Sequence, residues 1–182
     1  MKFTQILSTS AFATACLAFD TSATESINKD YEVLGEWNSR LQSGTLDSDN
    51  LGEAMIAQAA KLEDPVEIED ALKIESQNEA GECSALAEAS EGLANRLSVL
   101  FHNIEEPSVL CEASFQSKIE ESGSTIALHP HILEVAEVTL KRDCGADADD
   151  VQTALEAFPQ TFSDFDAFLT TLSNANETCS GN

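Results

Sequence analysis

Apolar residues along this chain recur every three or four positions and almost nowhere alternate with polar ones. That is the period of helices packed by one face, so the pattern predicts an all-α protein. Ile27, Tyr31, Leu34, Trp37 and Leu41 mark a first helix that Gly44 closes in the left-handed conformation. A second helix starts near Asp47 and carries Leu51, Met55, Ala59 and Leu62. Asp64 then caps a third that opens on Pro65 and turns Ile68, Leu72 and Ile74 inward. After the polar stretch ESQNEAGE comes the longest periodic run, through Cys83, Leu86, Ser90, Leu93, Leu97, Leu100 and Ile104, read as the central helix.

The C-terminal half repeats the pattern with clearer punctuation. Ser108 opens a helix bearing Leu110, Cys111, Phe115 and Ile119 that ends at Gly123. Pro130 sits in the first turn of the next, which carries Leu133, Ala136, Leu140 and Cys144. Lys141 and Arg142 lie at its negative dipole end and Gly145 stops it. Asp147 caps a helix with Val151, Leu155 and Phe158 that Pro159 terminates. A last helix from Ser163 buries Phe165, Phe168, Leu169 and Leu172. The expectation is a compact, disulfide-stapled bundle of about seven or eight helices.

The segment before the first helix has a different character. Lys2 followed by the apolar, small-residue stretch Ile6 to Ala18 reads as a signal peptide cleaved after Ala18, which would remove Cys16. A rival reading has ATAC presenting Cys16 for lipid attachment, although Ala13 stands where a larger aliphatic residue is usual. The expected organisation is therefore a signal peptide (1–18), an N-terminal helical region without cysteine (19–78) and a disulfide-stabilised helical domain (79–182). No later apolar run is long enough to span a bilayer. The expected location is extracellular, or periplasmic if the source is bacterial.

Four cysteines remain after cleavage: Cys83, Cys111, Cys144 and Cys179. An even number at wide, irregular spacing in an exported chain implies two disulfides, and no CxxC pair suggests zinc or redox chemistry. If Cys111 begins one helix and Cys144 ends its antiparallel neighbour, those two pair, leaving Cys83 with Cys179.

Charge narrows the partners. The chain has 33 acidic and 9 basic residues, so losing Lys2 leaves 8 minus 33, or −25. Such a chain repels phosphate backbones and anionic lipid, which argues against nucleic-acid binding. Motifs for familiar enzymes are missing: there is no nucleophile elbow, no HExxH and no phosphate-binding glycine loop. DSDNLG from Asp47 begins like a calcium loop, but Leu51 stands at a ligand position and Gln58 at the twelfth. His129 and His131, in HPH, are weak metal candidates, with His102 and Glu134 as possible helpers; no cofactor is expected. Asn176 in NET is a glycosylation sequon if the source is eukaryotic, and Lys141–Arg142 is a dibasic pair better explained by the helix dipole.

These features suggest a secreted, acidic, non-enzymatic protein that binds an extracellular macromolecule bearing a basic patch, in the manner of an effector or surface-interaction protein. The alternative is a small carrier holding a lipid or sterol between helices, with Phe115, Phe165 and Phe168 lining the cavity. The stretch GLANRLSVLFHNIEEPSVLC (92–111) resembles elicitins, small secreted sterol carriers. That resemblance implies a lipid-enclosing helical fold. Elicitins, however, have six cysteines where this region has four, and no residue role is transferred.

Overall fold

The computed structural model describes residues 23–46, 50–75, 82–145 and 148–180. The expected signal peptide with Cys16, the expected start of the second helix at Asp47, the cap at Asp147, and the core of the polar stretch at 76–81 lie outside the described residues. The chain forms α1 (Ala23–Gln42), α2 (Leu51–Ala59), α3 (Pro65–Glu75), α4 (Glu82–Glu105), α5 (Pro107–Leu110), α6 (Ala113–Gln116) and α7 (Ile119–Thr139). A π-helical turn (Leu140–Gly145), α8 (Asp149–Ser173) and α9 (Ala175–Ser180) complete it. No strand occurs among the described residues. The fold is all-α, as the periodicity predicts.

Three long helices run parallel as one layer, with α4 in the middle. Along its contact with α1, Gly92 faces the ring of Tyr31 and Arg96 lies over Gly35. Asn38 donates to the Arg96 carbonyl at 3.0 Å and accepts from Asn103 at 2.9 Å. Residue numbers rise together on both helices, so they point the same way. On the other flank Thr161 of α8 donates to the Ala94 carbonyl, the ring of Phe168 stacks on Phe101, and Thr171 reaches Glu105. The numbers again rise together.

Beneath this layer α7 runs back the opposite way, from just beyond the end of α4 to the π-turn, which Cys144 bonds to Cys83 in the first turn of α4. The single core joins Ile27, Leu34 and Trp37 of α1 with Leu93, Leu97 and Leu100 of α4, Ile132, Leu133 and Ala136 of α7, and Val151, Phe158 and Phe168 of α8. Helices on both sides of residue 78 therefore share one interior.

Local chemistry explains several ends. Gly44 takes a φ of 63° just past α1, and Gly145 a φ of 76° at the end of the π-turn, conformations that strain residues with a Cβ. Asp64 Oδ1 accepts from the Val66 N–H at 2.9 Å, capping α3 with Pro65 in its first turn. Gly52 is required by packing. A Cβ there would sit 2.3 Å from the Ser114 carbonyl oxygen of α6.

Two prolines do not act as the sequence suggests. Pro130 lies inside α7 and Pro159 inside α8, so the helix expected to stop at Gly123 and the one expected to stop at Pro159 both run on. An interior proline costs about 3 kcal/mol. Against that, α7 buries Ile126, Ile132, Leu133 and Ala136, and α8 buries Phe158, Thr161 and Phe168 on either side of the proline. Several buried large side chains, at about 1.5 to 3 kcal/mol each, outweigh one lost helix bond. The segment from Ser108 is likewise two short helices, α5 and α6, in place of one continuous helix.

That rearrangement overturns the expected disulfide pairing. The bridges are Cys83–Cys144 and Cys111–Cys179. Cys111 follows α5 at the C-terminal end of α4, whereas Cys144 lies at its N-terminal end, and α4 spans 24 residues. At 1.5 Å per residue the two ends are about 36 Å apart, far beyond the reach of a disulfide. Because α8 runs parallel to α4, its C-terminal extension α9 returns Cys179 to Cys111. Each bridge staples one end of the bundle.

Candidate functional site

The least ordinary feature of the interior starts from the stripe Ala23, Ile27, Asp30, Leu34, Trp37, which is the buried face of α1. An aspartate occupies a position where the helical period calls for an apolar residue. Its side chain is fully buried. Oδ1 accepts the Glu63 backbone N–H at 2.8 Å, in the turn that leads into α3. Oδ2 lies 3.4 Å from Nε2 of His129, which is also fully buried, in the middle of α7. Burial pushes the Asp30 carboxyl above its ordinary range, outweighing the opposing pulls of His129 and Lys29. The pair thus joins α1, the turn before α3 and α7 through one carboxylate.

The histidine motif consequently divides. His131 is exposed and sits 3.1 Å from Glu134 of its own helix. Residues two apart on a helix point in nearly opposite directions, so His129 and His131 do not converge on one metal. His102 is exposed elsewhere, its ring nitrogen 2.8 Å from the Ser98 carbonyl. Among the described residues no group of three or more histidine, cysteine or acidic side chains is arranged to hold a metal ion.

The phenylalanines expected to line a cavity are also separated. Phe165 and Phe168 pack on Phe101 of α4, with ring centroids 5.6 Å and 4.9 Å away. Phe115 belongs to α6, the one-turn helix that packs on α2. Glu112 caps that turn, accepting from the Ser114 and Phe115 N–H groups at 2.7 and 3.2 Å. Its bond from the Ser114 hydroxyl, with these amides, holds the carboxyl below the usual range. The three rings serve two different packing regions.

Charged side chains pair locally. Lys29 meets Glu63, Arg40 and Lys61 meet Glu36, and Lys73 meets Asp70. Lys118 meets Glu53, Lys141 meets Glu137 and Arg142 meets Asp143. Arg96 is stacked over the Tyr31 ring, 4.7 Å from its centroid, and donates to the Tyr31 hydroxyl. The dibasic pair thus has carboxylate partners at the end of α7. Asn176 of the sequon is exposed on α9, three residues before the bridged Cys179.

Asp30 escaped the sequence reading because one polar residue in an apolar stripe resembles a break in the pattern. Its spacing, three after Ile27 and four before Leu34, was the available signal. No protein-family model, curated protein or solved structure matches the chain. The likeness of 92–111 to elicitins therefore rests on that stretch alone.

Proposed function

We propose that this protein works outside the cell as an acidic, disulfide-stapled binding protein whose surface engages a cationic macromolecule. The observation that carries the reading is the division of charge. With 33 acidic and 9 basic residues, the cations of the described helices are taken up in ion pairs or, for Arg96, in a stack on tyrosine. Among the described residues Glu32, Glu67, Glu88, Glu106, Asp149, Glu156, Asp166 and Glu177 face solvent outside these ion pairs. Such a surface steers positively charged partners toward it and repels polyanions. Two bridges, one at each end of the bundle, suit an oxidising compartment. No helix among the described residues is long and apolar enough to cross a membrane.

The test is a panel of helical peptides of equal length and hydrophobicity, one lysine-rich, one uncharged and one glutamate-rich, titrated calorimetrically. The reading expects saturable binding of the lysine-rich peptide at a fixed stoichiometry and none of the others. Equal binding of all three, or of none, would count against it.

A further inference from the structure

We propose that Asp30 and His129 form a one-proton clasp between α1 and α7 that holds the helices together more firmly in acid than at neutral pH. The geometry makes ionised Asp30 poorly compensated. The carboxylate is shut away from water, one oxygen accepts a single backbone N–H, and the other has the His129 ring nitrogen at 3.4 Å, long for a charge-assisted bond. A buried carboxylate in that state is costly, and a proton removes the cost.

Among the described residues the groups around it supply only a weak countercharge, the pulls of His129 and Lys29 being outweighed by burial. From α1, Lys29 is exposed and engaged by Glu63, the residue whose backbone caps Asp30. From α3, Ile68 and Leu72 turn inward, while Glu67, Asp70 and Lys73 are exposed. From α4, the buried face is Leu93, Leu97 and the hydroxyl of Ser90, and Arg96 is held on Tyr31. From α2, Met55 and Gln58 are buried and Glu53 is tied to Lys118. From α8, Val151, Ala154 and Phe158 face the core, while Asp149 is exposed and Asp150 accepts from Ser84. Among the described residues His129 is the one titratable partner within reach of Oδ2.

The linkage has a definite sign. A carboxyl whose folded value is raised contributes stability that is fully present below its unfolded value, about 3.9, and is lost as pH rises through the folded value. Glu112, Asp143 and Asp150 behave oppositely, since hydrogen bonds and Arg142 hold them low. Among the shifted acids of the described residues Asp30 alone strengthens the fold on acidification.

Asp30→Asn tests this, because asparagine keeps an acceptor for the Glu63 N–H and mimics the protonated acid. Melting temperatures of the two proteins are compared at half-unit steps from pH 4 to 7. The expected result is a variant that melts higher than the parent at pH 7, with the gap closing as pH falls to 4. A gap of constant size, or one that widens in acid, overturns the proposal. Should the variant fail to fold, the 13C shift of the Asp30 carboxyl in the parent decides. A midpoint above the ordinary aspartate value of about 3.9 is expected, and one at or below it overturns the clasp.

Discussion

The bundle's parallel layer places its bridges at opposite ends, and this can be tested by removing them one at a time. The Cys83–Cys144 bridge closes a separation of 61 residues and the Cys111–Cys179 bridge one of 68. In the chain-entropy description, loops of these sizes each lower the freedom of the unfolded chain by an amount worth about 4 kcal/mol at room temperature. The double substitution Cys83→Ser/Cys144→Ser should thus lose about 4 kcal/mol in a urea titration, a large part of the roughly 5 to 15 kcal/mol typical of a domain. Cys111→Ser/Cys179→Ser should lose nearly the same, because the loop term grows only with the logarithm of length. Thiol titration completes the assay. Apart from Cys16, either variant should carry no free thiol, since the surviving pair lies together, whereas Cys111→Ser/Cys144→Ser should leave Cys83 and Cys179 about 36 Å apart and reduced. A fully oxidised Cys111→Ser/Cys144→Ser monomer, or a loss under about 1 kcal/mol for both bridge deletions, would refute the parallel arrangement of α4 and α8.

Two packing contacts give further expectations. Gly52→Ala drives a methyl to 2.3 Å from the Ser114 carbonyl oxygen, a backbone atom unable to swing aside, so it should cost about 1 to 3 kcal/mol in the same titration. Phe101→Ala empties a fully buried site in contact with Phe165 and Phe168 and should cost about 3 to 5 kcal/mol; a loss under 1 kcal/mol would mean that α4 and α8 do not meet there.

Helix identity was legible where period and punctuation agreed. Asp64–Pro65 and Gly44 act as their types suggest, and Leu86 through Ile104 is one buried stripe. Proline misled because its cost is local while the compensation is distant: nothing near Pro159 reveals that Phe158 and Phe168 both lie in the core shared with α4. The disulfide pairing failed for the same reason. It depended on helix direction, which is set by crossovers such as 107–118 that the hydrophobic pattern reads as a single helix. Asp30 was visible as a flaw in a stripe, but its partner lies 99 positions away, and only the fold brings α7 beneath α1.

The proposed role stands most directly on the salt dependence of binding. The affinity of the intact protein for the lysine-rich helical peptide would be measured at about 50 mM and 300 mM salt, conditions under which the screening length falls from roughly 14 Å to 6 Å. Binding through the acidic surface predicts a Kd that rises at least tenfold with unchanged stoichiometry. An affinity indifferent to salt would contradict it.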